Sequence, residues 1–243
     1  MGYGFGNRIA VGRRPITAVA QAGSSLAAPY AWWGADSGVN INEYGKIYQW
    51  NDKSGNGRNL ISESQFTGPL YYATAIDSQP AVYFDNTTSY LFLNDTTTLK
   101  SIVSVVRLDE YSLYGYSGAR TIIEANGPNL YGVIYADGKS GEGFWGSYLQ
   151  YSVAFGQVEY STNLVLSVKS DTGNQITGFY NDTPYSQTLA STFTSRDKIR
   201  VGGTQFSQPL FGYIAELVVF DYLATDEQML GYINLFIAKY GLA

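Results

Sequence analysis

Between residues 49 and 63 the chain reads QWNDKSGNGRNLISE. Asp52, Ser54, Asn56, Gly57 and Glu63 fall on the first, third, fifth, sixth and twelfth places of a calcium loop of the EF-hand type. Oxygen donors at that spacing suit a hard divalent cation, provided a helix on each side holds them in place. Neither flank supplies a helix. EYGKIYQWN ahead of the loop carries a glycine and strand-type residues, and SQFTGPLYY behind it is broken by Gly68 and Pro69. The segment therefore reads as a turn between strands. Gly55 and Gly57 supply positive φ, and the Asp and Ser side chains cap backbone amides.

Calcium in a loop of an all-β domain stays open, and Asp52, Asp85 and Asp221 are the candidate ligands for one structural ion. Each is equally the residue expected at a strand end, where it caps a turn. Saccharide binding needs aromatic faces beside hydrogen-bonding groups. Tyr111, Tyr114 and Tyr116 in YSLYGYSGAR, and Trp145 and Tyr148 in GFWGSYLQY, are the candidates; the other use of such residues is to fill a core or a subunit interface. The chain has no histidine and no cysteine, which removes Ser-His-Asp triads, imidazole-ligated zinc, disulfides and thiolate chemistry. Glu216, in GYIAELVVFD, is a lone acid among apolar residues and reads as a helix–sheet junction rather than a proton donor.

The net charge of −5 is unevenly spread. Arg8, Arg13 and Arg14 make the first 35 residues +3, and the remainder of the chain carries −8. Three cations give little hold on a polyanion, so nucleic acid is not expected as a partner. No run reaches the roughly 18–20 apolar residues of a membrane span. PITAVAQAGSSLAA has the outline of a secretory signal, but Gln21, Ser24 and Ser25 dilute its apolar part.

These residues need elements to position them. Residues 1–30 lack the bulk for a core and read as an extended arm, with Tyr3, Phe5, Arg8, Arg13 and Arg14 as anchoring contacts to another protein. From residue 31 to 243 one domain is expected. Lys, Glu and Met are scarce, 22 tyrosines and 27 glycines are present, and about a dozen short apolar runs end in NG, DG, TGN or NDTP turns. The run at 101–109 reads as buried. FWGSYLQYSVAF reads as one long strand. One helix closes the chain, with Thr225 and Gln228 forming a capping box and Leu230, Ile233, Ile237 and Tyr240 forming its apolar stripe. It is expected to pack on an edge of a two-sheet antiparallel sandwich.

WNDKSGNGRNL, QPAVYFDNTTSYLFL, SIVSVVRLD and FGYIAELVVFDYLATDEQMLGYINLFIAKYGL follow one another in an order that resembles the laminin-G-like, or concanavalin A-like, jelly-roll domains. In particular, the resemblance is to a variant frequent in phage tail, fibre and capsid-accessory proteins. It covers about 30–243 and departs at Asn86, Thr87, Thr88 and Ser89, which stand in place of a glycine and two acids. The resemblance implies an all-β, two-sheet antiparallel jelly roll with a C-terminal α-helix. It also implies a non-enzymatic protein on the exterior of a virion's capsid or tail, a homo-oligomer held to other virion proteins by the arm and displaying a lectin-like domain to host-surface glycans. Two other readings stand beside it: a secreted or cell-surface carbohydrate-binding adhesin, and a glycan-degrading enzyme using cross-strand carboxylates. The tight E-x-D-x-x-E strand of related glucanases is not in the sequence.

Overall fold

Short β-branched and aromatic runs, set apart by glycine, asparagine and aspartate turns, form seventeen strands and one helix among the described residues. The computed structural model describes residues 26–85, 89–95, 97–109, 120–125, 134–139, 142–149, 151–158, 160–170, 175–188, 198–203 and 209–242. In chain order the first strands are β1 (Ala31–Gly34), β2 (Val39–Ile41), β3 (Ile47–Trp50), β4 (Leu60–Ser62), β5 (Leu70–Ile76) and β6 (Gln79–Asp85). Next come β7 (Leu91–Leu93), β8 (Ser101–Leu108), β9 (Arg120–Ala125), β10 (Ile134–Lys139), β11 (Glu142–Leu149) and β12 (Tyr151–Val158). The last are β13 (Asn163–Ser170), β14 (Gln175–Tyr180), β15 (Thr183–Thr188), β16 (Ile199–Val201) and β17 (Phe211–Phe220), followed by α1 (Asp226–Tyr240). The expected dozen falls short because β2, β4, β7 and β16 have only three residues each, too few to show a period of two. FWGSYLQYSVAF is not one strand; it is split between β11 and β12, which pair as a hairpin.

All the strand pairs are antiparallel. Sheet A has the order β15-β14-β13-β8-β17-β6-β5, with β1 on the second half of β17, and sheet B has the order β12-β11-β10-β9-β16-β7-β4-β3-β2. Val82, Phe84, Ile102, Val106, Leu166 and Leu217 from sheet A meet Trp50, Leu60, Leu91, Ile123, Ile199 and Val201 from sheet B in the main core. The expected two-sheet sandwich is observed.

The helix does not sit on an edge. It lies on the outward face of sheet A, where Met229, Tyr232, Ile233, Phe236 and Tyr240 form a second core with Val103, Val105, Val165, Ala215, Val218 and Phe220. This is why the middle of β8 is apolar on both faces: Ile102 and Val106 look into the sandwich, and Val103 and Val105 look at the helix. Leu230 and Ile237 are only partly buried, and Met229, Tyr232 and Phe236 carry the stripe instead. The capping box is as expected: Thr225 accepts from the Gln228 amide, and the Gln228 side chain accepts from the Thr225 amide.

Residues 26–30, the described end of the expected arm, lie against the body. The hydroxyls of Tyr222 and Tyr232 donate to the carbonyls of Ala28 and Ala27, and Tyr30 N donates to Val219 O.

Candidate functional site: a tyrosine platform on sheet A

In the register of sheet A, Leu70 of β5 faces Tyr83 of β6, Tyr83 faces Tyr213 of β17, Tyr213 faces Arg107 of β8, and Arg107 faces Asn163 of β13. Directly opposed residues share a face, so these five form one row across five strands. All five are half-buried. The phase is fixed by the core: Val82, Phe84, Ile214 and Val106 point into the sandwich, so Tyr83, Tyr213 and Arg107 point away from it.

The row is bounded on both sides. One step toward the helix, Ala81, Val105 and Val165 are fully buried in the second core. One step the other way lies a charged margin. Asp85 is the register partner of Phe211, and Asp109 N donates to Phe211 O at 3.1 Å, so two carboxylates flank one phenyl ring.

The aromatic rings pack against one another. The Tyr83 and Tyr213 centroids are 4.7 Å apart, and the Tyr72 ring stands edge-on to both, at 5.5 and 5.7 Å. Phe211 stands edge-on to Tyr83 at 6.1 Å. Tyr72 is 43% exposed and forms the open lip of the cluster. The Arg107 guanidinium lies over Tyr213 at 4.1 Å and donates to the Ala75 carbonyl at 2.6 Å.

Burial, reinforced by the charge of Asp109, pushes the Tyr83 phenol up to about 12 and the Tyr213 phenol upward. Both hydroxyls therefore stay protonated near neutral pH. Arg107 Nε approaches Asp109 Oδ1 only to 3.6 Å, beyond hydrogen-bonding range, and Asn163 Oδ1 has no partner among the described residues. Arg107 Nε and Asn163 Oδ1 are both shielded from solvent, so they belong to the packing under the row rather than to its open surface.

Of the residues singled out in the sequence, Asp52 is a turn cap. Its carboxylate accepts from Trp32 N, Ser54 N and Arg58 N at 2.9, 2.9 and 3.1 Å and from Ser54 Oγ at 2.8 Å, and Gly55 and Gly57 have φ of 89° and 72°. Asp85 and Asp221 lie at opposite ends of the long β17 and do not converge. Among the described residues no group of three or more acidic side chains is arranged to hold a metal ion. Tyr111, Tyr114, Tyr116, Tyr3, Phe5, Arg8, Arg13 and Arg14 lie outside the described residues. Trp145 and Tyr148 fall on the backbone of β11, and their side chains lie outside what is described.

The platform was missed because tyrosine reads as apolar in AVYFD and FGYIAE; only its alternation with Val82, Phe84, Gly212 and Ile214 marks Tyr83 and Tyr213 as outward. Glu216 is where the sequence reading put it, at a helix–sheet junction. It is fully buried and accepts from Lys239 Nζ at 2.5 Å, Trp32 Nε1 at 2.7 Å and Tyr240 Oη at 3.1 Å.

Fold and site together define a β-sandwich domain that presents a half-buried aromatic cluster with Tyr72 as its exposed lip. No family model matches the chain, and no curated protein matches its sequence. Solved structures match its fold. It is similar to the botulinum neurotoxin type G receptor binding domain, with a TM-score of 0.60 and 12% identity over 86% of this chain and 52% of that one. It is also similar to domain 4 of AbnA, an extracellular arabinanase from Geobacillus stearothermophilus in complex with arabinotriose, with a TM-score of 0.59 and 17% identity over 85% of this chain and 98% of that one. A third is the Trypanosoma rangeli sialidase in complex with the inhibitor DANA, with a TM-score of 0.59 and 11% identity over 86% of this chain and 33% of that one. At these identities the likeness is one of fold. The chain spans about half the length of the toxin domain and nearly all of the arabinanase domain.

Proposed function

We propose that the chain is a non-catalytic carbohydrate-binding domain that takes saccharides on the Tyr72–Tyr83–Tyr213 platform. The observation that carries this reading is the composition of the row: stacked phenols half open to solvent, with a guanidinium, two carboxylates and an amide around them. Sugars present apolar C–H faces and rings of hydroxyls, and this surface offers aromatic faces edged by donors and acceptors. A fold shared with an arabinanase domain solved with arabinotriose supports it as analogy.

The absence of catalysis is part of the proposal. Asp85 and Asp109 lie across β17 from each other, on either side of Phe211. Each has a cation beside it, Lys46 at 3.8 Å and Arg107 at 3.6 Å. Both are engaged in ion pairs rather than left free to pass a proton to a glycosidic oxygen.

The virion role comes from the sequence resemblance. Within the proposal, residues 1–25 attach this domain to a larger assembly and repeated copies raise avidity for weakly held glycans. The solved neighbours are a toxin domain, an arabinanase domain and a sialidase, so the carbohydrate reading does not depend on that placement.

The test is binding of the intact protein to a glycan array and to insoluble polysaccharides, with Tyr72→Ala/Tyr213→Ala as the control. Retention by at least one glycan, lost in the double variant with the fold intact, is expected. Silence across array and polysaccharides sinks the proposal.

A further inference from the structure

We infer that the platform binds an internal stretch of an extended, uncharged glycan chain laid across the strands, rather than a terminal sugar held in a pocket. This deepens the carbohydrate-binding reading and rests on it.

The argument begins with the shape of the row. From Leu70 to Asn163 it crosses four strand intervals, roughly 19 Å at about 4.8 Å for each interval. A sugar ring in an extended chain advances by a distance close to that interval. One ring per strand therefore brings successive sugars over the Leu70 and Tyr83 side of the row, then Tyr213, Arg107 and Asn163.

The width agrees. The open strip lies between a helix-covered row, Ala81, Val105 and Val165, and the Asp85–Phe211–Asp109 margin. That leaves room for one chain along the row. The ends agree as well. Beyond Leu70 of β5 the row continues onto Lys46, which bridges Leu70 antiparallel, so the strip does not stop at β5. A site that selects a chain terminus needs a wall against which the last ring stops. This site has its walls along the sides.

Charge decides between neutral and acidic chains. Among the described residues the cations nearest the strip are Arg107 and Lys46. Arg107 stacks on Tyr213, donates to Ala75 O and lies beside Asp109, and Lys46 lies beside Asp85. Both positive charges face carboxylates of the margin, and a uronate, sialate or sulfate would meet Asp85 and Asp109 without a spare partner. Hydroxyls suit the site better. They take hydrogen bonds from the Tyr83 and Tyr213 phenols, which stay protonated.

Calorimetric titration of the intact protein with monomer-to-hexamer series of cello-, manno- and arabino-oligosaccharides, alongside oligogalacturonides as acidic probes, tests the inference. At least one neutral series should gain affinity severalfold with each ring and level off at about four to five rings, the length of the row. Chains tethered through either end should bind as well as free ones, and oligogalacturonides should bind more weakly. Tyr72→Ala, at the exposed lip, should flatten the length dependence without changing the melting temperature.

A monosaccharide that binds as tightly as its tetramer overturns the extended-chain inference and leaves the carbohydrate reading standing. So does tight binding that requires a free chain end. Stronger binding of oligogalacturonides overturns the neutral-chain part. If no saccharide binds in any series or on the array, both readings fall.

Discussion

The Glu216 carboxylate, fully buried in β17, accepts from Lys239 Nζ in the last turn of α1 at 2.5 Å. Strict alternation after Tyr213 and Ala215 would turn Glu216 into the sandwich, where a carboxylate has no counter-charge. A bulge between Ile214 and Glu216 shifts the register and leaves Ala215 and Glu216 both facing the helix. Lys239 also reaches Asp36 Oδ2 at 2.7 Å, and Lys53 reaches Asp36 Oδ1 at 3.1 Å, so two cations and two carboxylates close the joint between helix and sheet.

Lys239→Met should cost about 2–3 kcal/mol, at or just below the low end for breaking a buried pair, because Lys53, Trp32 and Tyr240 still face Glu216. The pH dependence has two limbs. Burial pushes the Lys239 ammonium down, but its hydrogen bonds to Asp36 and Glu216 outweigh this and raise it. Its contribution is complete below the unfolded value of about 10.4 and fades as pH rises through the higher folded one. Burial pushes the Asp36 carboxyl up, but hydrogen bonds from Lys239 and Lys53 hold it below the usual range. Its contribution is present above about 3.9 and fades as pH falls through the lower folded value. Melting temperature against pH should show both limbs in the native chain, with the alkaline limb flattened in the variant.

On the platform, Tyr213→Ala removes the ring that joins Tyr83, Tyr72 and Arg107, so it should weaken saccharide binding more than any other single change in the row. A loss of about tenfold or more, 1.4 kcal/mol, is expected. Tyr83→Phe keeps the stack and should cost less. With the Tyr83 phenol pushed up to about 12 and that of Tyr213 raised, affinity should be flat from neutrality to about pH 10 and fall above it. An affinity that drops between pH 7 and 9 would point to a different donor.

Asp52 takes four hydrogen bonds from the backbone and Ser54, so Asp52→Ala should destabilise the β3–β4 turn by about 2–3 kcal/mol, with one to two lost caps of about 1 kcal/mol each and the rest from stranded amides. The expected loss is the same with and without millimolar calcium in a thermal melt. Calcium stabilisation that vanishes in this variant would restore Asp52 as an ion ligand.

The parts of the fold legible in the sequence were those written locally. The Thr225–Gln228 capping box needs only a four-residue pattern, and the Asp52–Gly57 turn needs only its glycines and a side-chain cap. The helix position was not local. Whether Val103 and Val105 are covered depends on α1, more than a hundred residues later. That covering also makes β8 read as continuously apolar, which hides the face on which Arg107 emerges. The same ambiguity drew attention to tyrosines in presumed loops at 111–116 and away from Tyr83 and Tyr213, which lie within strands between core residues.

Gly212 gives the sharpest link between fold and site. It lies between Phe211 and Tyr213 with φ of 147°, and a Cβ there would come within 2.3 Å of Arg107 O and 3.0 Å of Leu108 Cα. β8 cannot move aside, because β13 holds its other edge over seven residue pairs. Gly212→Ala therefore combines backbone strain and overpacking of about 1–3 kcal/mol each, and a total near 3 kcal/mol lowers the melting temperature of a chain this size by roughly 6–12 °C. It should also weaken saccharide binding, since the inserted methyl pries apart the two strands that carry Tyr213 and Arg107. Gly57→Ala is the control: φ is 72°, nothing lies within 4 Å of the added carbon, and only conformational strain of about 1 kcal/mol is expected. If the two variants lose equal stability, or if Gly212→Ala binds saccharide as the native chain does, the close approach of β17 to β8 is not what sets the platform.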